Sequence, residues 1–235
     1  GSMNSVSTVC VWMWHTAWTK AQAAYENAVE NVSDLHVKIS DGNNKLGAIP
    51  SVSLIPVMDC GNCAICAKSC YDLRNDFIYK EVIKTRAINS AIYHEDPERF
   101  FKEIDDYLNY RYPRAFRFHI GGDIQNKWYL DKMCEIARKH KDTKFLAFTK
   151  MFDVCNEYLD DGNVIPENMH ILFSGWLGLK MDNHHGFPEA HPIFESGTSA
   201  PEGTRLCTGN CTECLKEDRL CWSIGKGQAV GFLAH

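Results

Sequence analysis

The middle of the chain alternates between two hydrophobic rhythms. Phe116-Arg-Phe-His-Ile120, Lys144-Phe-Leu-Ala-Phe-Thr149 and Met169-His-Ile-Leu-Phe-Ser-Gly175 are short apolar runs rich in aromatic and branched residues, so each reads as a buried strand. Between them, residues from Trp128 to His140 carry apolar positions at helical spacing, and Asp153 to Leu159 forms a shorter helix of the same kind. Strands alternating with helices predict parallel β/α units.

The flanks extend this pattern. Residues 16–32 hold Ala, Lys, Glu and Gln without Pro or Gly, which predicts a helix. Asp41-Gly-Asn-Asn-Lys is a turn, and Ser51-Val-Ser-Leu-Ile-Pro-Val57 reads as a strand. Tyr71 to about Ile92 is long, charged and helical. Asp96-Pro97 starts another helix, with Pro in its first turn, running to about Tyr110. Residues 180–204 are crowded with Pro, Gly and His and read as a long loop, and Ala229-Val-Gly-Phe-Leu is a last strand. The resulting fold class is α/β: a partial (β/α) barrel of parallel strands, open rather than eight-fold, since a complete barrel takes ~250 residues. Residues 1–34 form an N-terminal helical extension, 35–195 the β/α core, and 196–235 a cysteine-rich knot packed on it.

Composition narrows the class. With 235 residues, 45% of them hydrophobic, the chain can bury one large core plus a small appendage. The net charge of −5 offers no broad basic surface for nucleic acid. No segment reaches the roughly 18 apolar residues of a membrane span, and Val9 to Trp14 lacks the flanks of a signal peptide. Gly1-Ser2 ahead of Met3 reads as an expression remnant. A reducing cytoplasm is the compartment expected, in which clustered cysteines act as metal ligands; a secreted disulfide scaffold is the rival reading.

Eight of the eleven cysteines fall in two tight clusters. The first, Cys60, Cys63, Cys66 and Cys70, has C-x2-C-x2-C-x3-C spacing, as in bacterial ferredoxin clusters. It follows the strand at 51–57. A zinc knuckle and inert core thiols are the alternatives. The second cluster is Cys207, Cys211 and Cys214, with Cys221 seven residues on; a second iron–sulfur cluster and a structural zinc both suit it. Cys10, Cys134 and Cys155 are isolated and read as core residues.

Each central strand ends in polar or small residues, at the edge where parallel α/β folds build their sites. These are His119 with Gly121, Gly122 and Asp123, then Lys150, then Ser174. The two glycines let backbone approach a ligand, and Asp123 can hold an amine or hydroxyl. His119 and Lys150 are candidates for proton transfer or substrate orientation, although a packed histidine, a solvated lysine and a plain tight turn are the ordinary readings. His184, His185 and His191 could bind metal, although most loop histidines have no such role. Arg111, Arg114 and Arg117 with Tyr110 and Tyr112 make a local basic–aromatic patch.

Taken together, these motifs resemble a known family. Asp41-Gly-Asn-Asn-Lys-Leu-Gly-Ala-Ile-Pro-Ser-Val-Ser-Leu54, the run from Cys60 to Tyr71, Arg117-Phe-His-Ile-Gly-Gly-Asp123, Phe148-Thr-Lys150 and the cysteines through Cys221-Trp222 look like the phage "gene product eighty-eight" family, over about residues 35–235. The family pattern uses Cys60, Cys66 and Cys70, with Cys63 an addition. The resemblance implies a phage or prophage protein in a bacterial host's cytoplasm. More loosely, the layout is similar to radical S-adenosylmethionine (SAM) enzymes. In those, three cysteines hold a [4Fe-4S] cluster and a Gly-Gly-acid motif binds the SAM amine. The C-x3-C-x2-C spacing of that family recurs here only at Cys207, Cys211 and Cys214, late in the chain.

The function expected is therefore an iron–sulfur enzyme that cleaves a carbon–sulfur bond of SAM or another small sulfur metabolite. Cys60, Cys66 and Cys70 would leave one cluster iron open, and an external reductant would serve as partner. His119, Asp123 and Lys150 are the candidate catalytic residues; Gly121, Gly122, Asp123 and Ser174 are the candidate cofactor contacts. The alternatives are a metal-stabilised phage protein that binds a host factor or nucleic acid, and a simple electron-transfer protein.

Overall fold

The computed structural model describes residues 3–42, 48–56, 58–60 and 80–233. The architecture is mixed α/β, built on one nine-stranded, mostly parallel sheet. Helix α1 (Met3–Glu30) leads into two short strands, β1 (Ile39–Ser40) and β2 (Ser51–Val52). Then come α2 (Lys80–Glu95), α3 (Pro97–Arg111), β3 (Ala115–Phe118), α4 (Lys127–Lys139), β4 (Lys144–Thr149), α5 (Phe152–Asp160) and β5 (Met169–Ser174). The chain finishes with β6 (Glu189–Phe194), β7 (Gly197–Thr198), β8 (Arg205–Leu206), α6 (Cys211–Lys216) and β9 (Ala229–Leu233).

The helices start where the sequence signals they should. Asp96 caps α3 by accepting the Arg99 N–H at 3.1 Å, with Pro97 in the first turn. Asn126 caps α4 by accepting the Tyr129 N–H at 2.8 Å. At the other end of α3, Tyr112 turns left-handed (φ 46°) and returns its N–H to the Leu108 carbonyl.

Strand order is β1-β2-β3-β4-β5-β6-β9-β8, an open path among the described residues, with β7 folded back on β6. From β2 to β6 the order advances in one direction and every pairing is parallel. Right-handed crossovers between such strands put successive helices on one face. That face buries Phe116, Phe118, Phe145, Ile171 and Phe173 against α2 through α5, with Ala28 of α1 at its margin. The opposite face carries Ala115, Leu146, Leu172, Ala190 and Val230, covered by Leu215, Leu220, Trp222 and Ile224 of the C-terminal segment. Lys144, at the start of β4, anchors that segment through a salt bridge to Asp218.

Three expectations need correction. Residues 180–204 are not a plain loop, because they contain β6, which lies between β5 and β9. Pro192 is tolerated there for a geometric reason. The Ala190 carbonyl faces the β5 side, where it accepts Gly175 N–H, and Pro192 faces the same side two residues on. The β5 pairing has already ended at Ala190, so no ladder donor is missing. The strand read over 51–57 is also shorter, only Ser51–Val52. The helix read over 16–32 extends back to Met3.

Candidate functional site

The carboxyl edge of the sheet is held by a zipper between the chain after β2 and the chain after β3. Ser53 Oγ accepts the N–H groups of Ile120 and Gly121 at 3.0 and 3.2 Å. The Leu54 N–H returns to the Gly121 carbonyl at 3.0 Å, and the Asp123 N–H reaches the Asp59 carbonyl at 2.7 Å. Gln125 Nε2 bridges the carbonyls of Asp59 and Asp123 at 2.8 and 2.6 Å. Gly122 permits this closeness: its φ is +80°, and a Cβ there would lie 2.6 Å from Leu54 Cβ. Cys60 follows Asp59 directly, so the first thiol of the first cluster starts beside the Gly121–Asp123 loop. Cys63, Cys66 and Cys70 lie outside the described residues.

Asp123 is buried and saturated by internal donors. Oδ1 accepts the Ile124 N–H at 2.7 Å and the Thr149 hydroxyl at 2.6 Å; Oδ2 accepts the Lys150 N–H at 2.8 Å. Burial pushes its pKa up to about 6, against the pull of those hydrogen bonds and of the Lys150 charge. Between pH 4 and 6 the folded state then holds a proton that the unfolded chain, near 3.8, has released. Stability is expected to fall by about 3 kcal/mol as pH rises through that window, and to level off above it. Urea unfolding from pH 4 to 7 reads this slope. It should flatten in Asp123→Asn, and an unchanged slope in that variant refutes the assignment.

His119 sits just past β3 with φ 62° and is 3% exposed. Its Nε2 lies 2.5 Å from the Tyr129 hydroxyl of α4, so the ring faces the helical layer. Burial, with the nearby Arg117 charge, holds its pKa down to about 3, which keeps the ring neutral. His119 Nδ1 is buried without a hydrogen-bond partner. Lys150 and Ser174 do come together: Nζ donates to Ser174 Oγ at 2.8 Å and lies 5.8 Å from the Trp176 ring centroid. Both are half-buried at the ends of neighbouring strands.

A family model described as Gene product 88 matches residues 19–178, more than half of the chain. The chain belongs to that family. The match begins inside α1 and ends just past β5, so it takes in the first cysteine cluster, Gly121–Asp123, Lys150 and Ser174. It starts earlier than residue 35, where the resemblance was expected to begin, and stops short of the C-terminal cysteines. The looser likeness to radical SAM enzymes finds no support, since no curated protein and no solved structure matches.

In this Gene product 88 protein the second cysteine cluster packs on the face opposite the helices. Cys214 is buried there, and Cys207, Cys211 and Cys221 lie against the same apolar cluster. Trp222 Nε1–H donates to the Cys211 carbonyl at 3.2 Å and ties two of the cysteine-bearing turns together. No three of these four thiols lie within 4.8 Å of one another.

The loop histidines separate. His191 is buried in β6, with Nε2 at 2.7 Å from Glu189 Oε1 and Nδ1 at 2.7 Å from Ser199 Oγ. Its ring occupies the space that a Cβ on Gly175 would fill. His184 and His185 lie on the surface beside Asp160. The arginine patch also divides. Tyr110 and Tyr112 are 81% and 79% exposed, with Arg111 and Arg114 also exposed nearby, whereas Arg117 lies within the sheet over the Phe148 ring.

Two polar groups escaped the sequence reading. Asp59 is buried and takes the Ser90 hydroxyl at 2.6 Å and His94 Nε2 at 2.7 Å, which holds the His94 pKa above its ordinary value. The available signal was its position directly before Cys60. Glu189 and Ser199 were hidden by the loop reading of 180–204, which gave no alternation to place them beside His191.

Proposed function

We propose that this protein is an iron–sulfur enzyme of phage origin, working in a bacterial host's cytoplasm, with Cys60, Cys66 and Cys70 as ligands of a [4Fe-4S] cluster at the carboxyl ends of the parallel strands. The supporting observation is the zipper from Asp59 to the Gly121–Asp123 loop, which starts the cysteine motif at the edge where such folds carry chemistry. Held by Cys60, Cys66 and Cys70, such a cluster would supply a Lewis acid or an electron to the substrate.

The chain's own residues supply positioning. The Lys150 ammonium, fixed by Ser174, offers a positive charge to a substrate carboxylate. Gly121 and Gly122 expose backbone to a close ligand. Asp123 has its oxygens occupied, so it orients Thr149 and the Lys150 backbone. Neutral His119 holds Tyr129. The reaction class is cleavage of a carbon–sulfur bond in SAM or another small sulfur metabolite. In the one-electron form, a low-potential reductant supplies one electron; the sulfur leaves with a lone pair and the carbon keeps one electron.

The C-terminal cysteines would hold a second cluster or a structural zinc.

Anaerobic reconstitution followed by iron and sulfide counting tests the proposal. Iron and sulfide should appear in equal amounts, and Cys60→Ser should lower both. A colourless protein that stays folded, holds only zinc and takes up no iron ends it. The exposed Tyr110, Tyr112, Arg111 and Arg114 favour a second reading, a docking patch for single-stranded nucleic acid, through stacking and phosphate contacts.

A further inference from the structure

Away from the sheet's carboxyl edge, three ligand-type side chains from two elements meet at the surface. Asp160 is the last residue of α5, and His184 and His185 lie on the connection from β5 to β6. One donor atom from each falls within 4.8 Å of the others. His184 Nε2 and His185 Nε2 stand 3.3 and 2.6 Å from the same oxygen, Asp160 Oδ1.

These distances suit a metal ion. Nitrogen and oxygen donors at about 2.0–2.1 Å from a tetrahedral ion lie about 3.3 Å apart. The His184 pair already has that spacing, and the His185 pair needs to open by roughly 0.7 Å. The second nitrogen of His184 is also engaged: Nδ1 lies 3.0 Å from Asp182 Oδ1. A carboxylate on one ring nitrogen fixes the tautomer and turns the lone pair of the other outward. A protonated imidazole satisfies both carboxylates with a hydrogen on each nitrogen, and a metal ion takes the place of the proton between Nε2 and Asp160 Oδ1. The carboxyl end of α5 adds its own negative potential.

The loop is built to hold this geometry. Asn183 Nδ2 donates to the Phe187 carbonyl at 2.8 Å and to Glu189 Oε2 at 2.9 Å, and Asn183 Oδ1 accepts the Phe187 N–H at 2.7 Å. Phe187 stacks on Phe173 in the core, with ring centroids 4.4 Å apart. Asn156 of α5 donates to the Asp182 carbonyl at 2.8 Å. Donors fixed this way need little reordering on binding.

We propose that Asp160, His184 and His185 bind one divalent first-row transition ion of the zinc class, with Asp182 as a positioning residue. Imidazole with carboxylate selects zinc, cobalt or nickel over calcium and magnesium. Three protein ligands leave one of four positions to water, and the ion fastens the 182–187 turn to α5. The site is independent of the iron–sulfur reading, because it shares no residue with either cysteine cluster.

The test is zinc counting on the full chain, dialysed against buffered free zinc. The variants are His184→Ala with His185→Ala, Asp160→Asn, Asp182→Ala, and Cys207→Ser as a thiol control. The double histidine variant should hold one zinc fewer per chain, and Asp160→Asn should lose the same equivalent. Asp182→Ala should keep it with affinity about 10–100-fold weaker. Cys207→Ser should leave this equivalent in place. With cobalt(II), the equivalent lost in the histidine variant should carry no sulfur-to-metal charge-transfer band. Equal zinc in the wild type and the double variant, or a sulfur band in the lost equivalent, overturns the proposal and leaves a plain histidine–carboxylate cluster.

Discussion

Gly122→Ala is expected to destabilise the protein by about 3 kcal/mol, from left-handed backbone strain plus overpacking of a filled site. Its φ of +80° is one that residues with a Cβ rarely adopt, and the new Cβ would sit 2.6 Å from Leu54 Cβ and 3.4 Å from the Asp59 carbonyl. Leu54 is fully buried and cannot swing aside. Either the Leu54 backbone moves, breaking its bond to the Gly121 carbonyl, or the Gly121–Asp123 loop lifts away from Asp59. Gly162→Ala is the control: its φ is +89°, but nothing lies within 4 Å of the added Cβ. That variant has only the backbone term, about 1 kcal/mol. Urea denaturation of both separates strain from collision. Equal losses would mean that the two loops do not pack as closely as described.

The parts of the fold that were legible in the sequence are those where one face is buried and the period is clean. β4 was readable to the residue because Lys144 and Thr149 bracket an unbroken apolar run. α3 and α4 carry Asp96 and Asn126 as caps and strong apolar stripes, so their limits fell within a residue or two. β6 was hidden because a proline interrupts Glu189-Ala-His-Pro-Ile-Phe, and its acceptance as a strand depends on where β5 stops. β2 was overread because Leu54 and Ile55 are apolar for another reason: Leu54 is buried beneath the loop that follows β3, and Ile55 packs with Ala21 of α1 and Ala87 of α2. At the candidate site, Lys150 and Ser174 were found by position, as neighbours at strand ends. The saturation of Asp123 was not, because its three donors lie next to it and twenty-six or more residues away.

Trp222→Ala should cost about 3–5 kcal/mol, the usual loss for removing a fully buried large aromatic side chain. The indole is 1% exposed and packs in the cluster that holds Leu146 of β4 and Leu172 of β5, so it carries much of the contact between the C-terminal segment and the sheet. Its N–H also satisfies the Cys211 carbonyl. Trp222→Phe keeps most of the apolar burial and loses that hydrogen bond, so about 1–2 kcal/mol is expected. The metal readout should follow the docking. When the indole is gone, Cys211 and Cys221 lose their common brace, and the metal assigned to the C-terminal cysteines should fall further than that assigned to Cys60, Cys66 and Cys70. The zinc equivalent at Asp160, His184 and His185 should persist, because those residues are held by Asn183, Phe187 and Asn156 on the helical side of the sheet. If Trp222→Ala keeps the wild-type unfolding midpoint, or loses all three metal loads together, the C-terminal segment is not an independently docked cover of the sheet.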